Sequence, residues 1–184
     1  MCRIISFISI LLLGCWPIAS SAYAQNVKLI QDTEIEDALK YFAIPILKAA
    51  KLKSSSVGIY IVNDDSLNAF VAGGQKLFIN TGLLLRCKRA NQIIGVIAHE
   101  MGHVAGGHLS RVHNALLRSS TQAIFGTILG GVASLATGRS DVGAAIIAGG
   151  QNTAARNFLA YSRTQEGAAD HAALRFLEET GQSA

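Results

Sequence analysis

A chain of 184 residues, half of them apolar and only 15% charged, can bury one substantial core, is too short for two comfortable domains, and is not intrinsically disordered. Its formal net charge of +4 is modest, with no Lys/Arg-rich run and no aromatic-interleaved basic stripe, which excludes nucleic-acid binding as its role. A positive mean hydropathy of +0.34 is high for a soluble enzyme and points instead towards contact with a membrane.

The first residues read as an export signal. Arg3 supplies a positive charge, Ile4 to Leu13 form an apolar run too short for an ordinary spanning helix, and Ala22-Tyr23-Ala24 is a small-x-small cleavage site before Gln25. The expected organisation is a signal peptide over 1–24 and one catalytic domain over 25–184, in an exported, periplasmic protein. Leu12-Leu13-Gly14-Cys15 offers a rival, a lipoprotein box that would leave the chain anchored through Cys15. Cleavage after Ala24 leaves Cys87 without a disulfide partner. Arg86, Lys88 and Arg89 beside it favour a thiolate, although a packed cysteine is the simpler reading.

Asp32 to Lys51 has the capping residues, acidic first turn and apolar spacing of a helix (Ile35, Leu39, Phe42, Ile46), with Pro45 expected to kink or divide it. Ser54 to Ser56 is a linker. Val57 to Val62 reads as a strand, and Asn68 to Ala72 and Lys76 to Asn80 as two more joined through Gly73-Gly74, giving a small antiparallel sheet. Ala90 to about Gly106 turns helical, with Ile93, Ile94, Ile97, Met101 and Val104 at three- and four-residue intervals. Gly106-Gly107 weakens this helix, which can resume through Leu109, Val112 and Leu116. Apolar stretches over 123–136 and 142–149 flank a break at 137–141, and a last helix runs from about Arg163 to Thr180.

His99-Glu100-Met101-Gly102-His103 is H-E-x-x-H on a helix. Residues four apart share a helical face, so His99 and His103 can reach one tetrahedral metal ion, while Glu100 stands beside the ion as a base for its bound water. A third ligand has two candidates. The metzincin pattern asks for a glycine after the second histidine, met by Gly106, and then a third histidine where Leu109 stands. His108 misses that place by one, and a continuous helix would turn it away from His99, so it is set aside unless the helix breaks at Gly106-Gly107. Downstream, Glu166 and Asp170 lie four apart on one helical face: Glu166 can ligate, and Asp170 can accept an N–H from a ligating imidazole and fix its tautomer. His171 points elsewhere and is read as a surface residue.

Beyond these residues, Asn68 to Gly74, Phe78 to Leu83, His99 to His108, and Tyr161-Ser162-Arg163 with Glu166, Ala169 and Asp170 together resemble the zinc peptidases of the HtpX, BepA and Oma type, the family that also holds the CAAX prenyl endopeptidases. The resemblance covers about residue 27 onward. It implies a mainly helical, zincin-like α+β domain with a small antiparallel sheet beside the H-E-x-x-H helix. It also implies a gluzincin arrangement with one Zn2+ on His99, His103 and Glu166, Glu100 as base, and Asp170 behind a ligand. BepA-like relatives continue into further helices and a tetratricopeptide-repeat region and carry a later group, often a histidine, over the metal. With the chain ending at Ala184, the catalytic domain is expected to be incomplete at its C-terminus.

Asn68, Ala69 and Phe70 are candidate substrate-binding residues on an edge strand, to which an unfolded polypeptide can add by sequence-independent backbone hydrogen bonds. The 123–149 segment is expected to form a buried helical hairpin over the active site, with membrane-surface contact as the alternative. The function so implied is a zinc metalloendopeptidase of misfolded or unassembled envelope proteins. Its rivals are a zinc-bound chaperone with little proteolytic activity and a metal-free structural protein.

Overall fold

In the computed structural model, which describes residues 28–182, Asp32 caps the first helix by accepting from the Glu34 and Ile35 backbone N–H groups at 3.1 Å each. The expected signal peptide and Cys15 lie outside the described residues. This helix, α1 (Thr33–Ala49), buries Leu39, Ala43, Ile46 and Leu47. It continues through Pro45 instead of dividing there; the carbonyl that Pro45 leaves without a helical donor belongs to Tyr41, which is on the solvent side. The expected linker at Ser54–Ser56 is a single 3-10 turn.

Four strands form one sheet: β1 (Leu29–Ile30), β2 (Gly58–Val62), β3 (Ala69–Ala72) and β4 (Lys76–Asn80), in the order β1-β2-β4-β3. The sheet is mixed, not antiparallel as the sequence suggested. β3 and β4 form an antiparallel hairpin, but β4 inserts beside β2 and runs parallel to it, with Tyr60 opposite Phe78. Burial accounts for the order. Leu77 and Ile79 of β4 are fully buried and take the centre, whereas β3, only partly buried, is left at the edge. On the opposite face Phe70, Phe78 and Tyr60 stack across the three strands, with ring centroids 5.1 and 5.3 Å apart.

After β4 comes a short helix that the sequence reading missed, α2 (Thr81–Arg86), which sends Leu83 into the core. The H-E-x-x-H helix α3 (Ala90–Gly106) buries Ile93, Ile94, Ile97, Ala98 and Met101 against α1, the sheet and the last helix. It ends at Gly107, whose φ of +63° is a left-handed conformation that glycine adopts without penalty. Then α4 (His108–Thr137) and α5 (Ser140–Thr180) make a long hairpin about the turn at Gly138. The apolar segment from 142 and the expected last helix are one element of 41 residues, about 60 Å long.

The hairpin is not the buried roof expected from its composition. Ile124, Phe125, Ile128, Leu129, Val132 and Leu135 are all exposed. The two helices meet through small residues, Gly126, Gly130, Gly143 and Ala154, which bring backbones together without enclosing the larger side chains. Among the described residues, no helix is long and apolar enough to cross a membrane.

Candidate metal centre

The buried stripe of α3 fixes what its other face presents. With Ile97, Ala98 and Met101 locked in the core, His99 and His103 turn together towards the C-terminal half of α5. That half is held by its own buried stripe of Ala169, Ala173, Phe176 and Leu177, and this directs Glu166 and Asp170 back at the histidines. The helices approach closely at Gly102, where a Cβ would stand 2.8 Å from the Ala169 carbonyl oxygen.

Three ligand-type atoms converge. His99 Nε2 and His103 Nε2 lie 3.1 Å apart, and Glu166 Oε2 lies 3.4 Å from the first and 3.6 Å from the second. Ligands about 2.0–2.1 Å from a tetrahedral zinc ion are separated by about 3.3–3.4 Å, so this triangle has the dimensions of three corners of a zinc site. The donor set of two imidazoles and one carboxylate is also that of a catalytic zinc, with the fourth corner left for water or substrate. Among the described residues, His99, His103 and Glu166 are the group able to hold a metal ion.

The remaining nitrogens have partners. His99 Nδ1 stands 2.8 Å from Asp170 Oδ1, so with Nε2 facing the triangle it is the Nδ1–H that donates to the carboxylate. His103 Nδ1 stands 2.9 Å from Nδ1 of His108. His108 was expected to point away, as it would on a continuous helix. The left-handed residue at Gly107 restarts the helix in a new direction, and the His108 ring returns to His103, the residue only 4% exposed. His108 does not join the ligand triangle. Burial is the main cause holding His103 and His108 below the ordinary histidine pKa, favouring neutral rings.

Glu100 sits between the triangle and the sheet edge. Burial pushes its carboxyl up to about 7; the imidazole of His99 opposes this, the carboxylate of Glu166 adds to it, and a hydrogen bond from the Val71 N–H opposes it again. Asn80 N–H donates to the Asn68 carbonyl, which places 68, 70 and 72 at hydrogen-bonded positions of the β3–β4 hairpin. The backbone groups of Ala69 and Val71 therefore face the free edge. Asn68 to Val71, His99, Glu100, His103 and Glu166 line one open groove of about 620 Å³, with the start of α4 on its far side. The candidate residues Asn68, Ala69 and Phe70 are thus beside the triangle, and the Phe70 ring is additionally held against Phe78. The Val71 N–H escaped the sequence reading, and His108 was weighed there only as a metal ligand and set aside. The Gly106-Gly107 pair was the available signal for His108, since a left-handed cap redirects the next helix.

The model of peptidase family M48 matches residues 30–184. The chain is 23% identical over 156 residues to the beta-barrel assembly-enhancing protease of Escherichia coli K12, covering 85% of this chain and 32% of that protein. It is 34% identical over 110 residues to a protease HtpX homolog of Methylacidiphilum infernorum, covering 56% of this chain and 34% of the relative. A 50-residue stretch is 36% identical to the mitochondrial metalloendopeptidase OMA1 of Schizosaccharomyces pombe, covering 27% of this chain and 15% of that protein. The chain spans about a third of the length of the first two of these relatives.

Proposed function

The chain belongs to peptidase family M48, and on that premise we propose that it is an exported zinc metalloendopeptidase acting on misfolded or unassembled envelope proteins. The observation that carries the reading is the triangle of His99 Nε2, His103 Nε2 and Glu166 Oε2, with an edge strand of the described sheet and a carboxyl beside it.

Zinc, when bound, supplies Lewis acidity towards a water molecule and the scissile carbonyl. His99, His103 and Glu166 hold it, and Asp170 keeps the His99 proton on Nδ1 so that Nε2 is free to ligate. Glu100 takes a proton from the attacking water and passes it to the leaving amine nitrogen as the peptide C–N bond breaks. In the metal-free chain burial raises this carboxyl towards neutrality, and its place beside the ligand triangle puts it within reach of both proton positions. The Ala69 backbone groups and the Val71 carbonyl lie at the edge of β3, where a substrate in extended form adds as a further strand. Such binding ignores sequence and favours unfolded clients.

The α4–α5 hairpin is proposed to rest on an anionic bilayer surface. Its exposed apolar flank from Ile124 to Leu135 is accompanied by Arg111, Arg118, Arg156 and Arg163, while Asp141, the one acidic residue between 108 and 163, is paired with Arg139 at 2.6 Å.

Casein cleavage and zinc content of the exported chain, beside Glu100→Gln and Glu166→Gln, test the assignment. Wild type is expected to hold one zinc and cut, Glu100→Gln to keep zinc without cutting, and Glu166→Gln to lose much of both. A folded wild type that holds zinc and never cuts supports the chaperone reading instead. A folded wild type without metal removes both.

A further inference from the structure

We infer that His108 is a positioning residue of the metal centre, accepting the Nδ1–H of His103 and so setting the tautomer and plane of that ligand. The inference rests on the zinc reading above. His103 directs Nε2 into the triangle, which leaves its proton on Nδ1. The atom that proton faces is Nδ1 of His108, 2.9 Å away, and two ring nitrogens at that distance require one donor and one acceptor. His108 must therefore be neutral, with its own proton on Nε2.

The local backbone is built for this contact. Gly107 ends α3 in the left-handed region and makes His108 the first residue of α4, and the His108 ring then lies over Gly106, where any Cβ would overlap it. The ring centroids of His103 and His108 are 4.9 Å apart with the planes at 84°, a separation that one in-line nitrogen-to-nitrogen hydrogen bond between imidazoles allows at any twist of the two planes. The two histidine ligands thus differ in what stands behind them. His99 is backed by the exposed carboxylate of Asp170, whereas His103 is backed by a buried neutral ring. A neutral acceptor orients the ligand without adding a second negative charge behind the ion.

The test compares zinc-loaded wild type with His108→Asn, which puts a carbonyl oxygen close to where Nδ1 stands, and His108→Phe, which fills the space with no acceptor. Zinc retention is read by titration with a competing chelator. His108→Phe is expected to bind zinc about 10- to 100-fold more weakly, and His108→Asn to recover most of that loss. Rescue by the acceptor-bearing variant is what packing alone would not produce. Equal zinc affinity in wild type and His108→Phe, or Asn no better than Phe, overturns the inference while leaving the zinc reading intact. A wild type that binds no zinc removes both. Should His108→Phe not fold, nitrogen-15 NMR of zinc-loaded wild type decides: His108 protonated on Nε2 supports the assignment, and His108 protonated on Nδ1 overturns it.

Discussion

Glu100→Gln should stabilise the metal-free protein at neutral and alkaline pH while it removes the proposed base. The folded chain holds the Glu100 proton up to about pH 7 against an ordinary value of 4.5, chiefly because the carboxyl is buried between α3 and the edge of β3. Fold and proton are therefore linked. Stability from this group is fully present below the unfolded value and is lost as pH rises through the folded one. A displacement of this size carries about 3 kcal/mol at about 1.4 kcal/mol per pH unit, and partial solvent access to the group reduces that to about 1–2 kcal/mol. Glutamine has nearly the same shape, still accepts from the Val71 N–H, and cannot ionise. Urea denaturation in the presence of chelator reads the difference. At pH 8 the variant's midpoint should lie higher by about 0.5–1 M, and at pH 4 the two midpoints should coincide. Equal midpoints at pH 8, or a less stable variant, would refute the claim that burial of this carboxyl is costly.

Three further outcomes rest on particular contacts. Asp170→Asn, which replaces the carboxylate behind His99, should weaken zinc binding about 10- to 100-fold in a chelator competition while the metal-free fold unfolds as wild type does. Gly107→Ala places a side chain at a φ of +63° and should destabilise by about 1 kcal/mol in thermal or urea unfolding, with weaker zinc binding because α4 carries His108. Phe125→Ser combined with Leu129→Ser removes two exposed apolar side chains from the hairpin flank and should abolish flotation with phosphatidylglycerol vesicles without altering zinc content. Unchanged flotation would assign that face to something other than lipid.

Much of the geometry of the candidate site was legible because helical periodicity is rigid. Once Ile93, Ile97 and Met101 are placed in the core, the directions of His99 and His103 are determined, and the same holds for Glu166 and Asp170 above Ala169 and Ala173. What the sequence hid was set by contacts between distant segments. The parallel pairing of β4 with β2 depends on which strand is apolar enough for the centre, and neither strand's own alternation reveals its neighbour. His108 was misplaced because a single left-handed residue changes the direction of everything after it, and helical projection assumes no such residue. The hairpin misled through composition: apolar residues between 123 and 149 suggested burial, yet glycine-mediated packing leaves the large side chains outside.

The central claim is the ligand set, and X-ray absorption spectroscopy of the zinc-loaded chain tests it most directly. The account predicts about one zinc per chain, with two imidazoles and oxygen ligands at about 2.0–2.1 Å. A sulfur shell at about 2.3 Å, or a folded protein that retains no zinc, would contradict it.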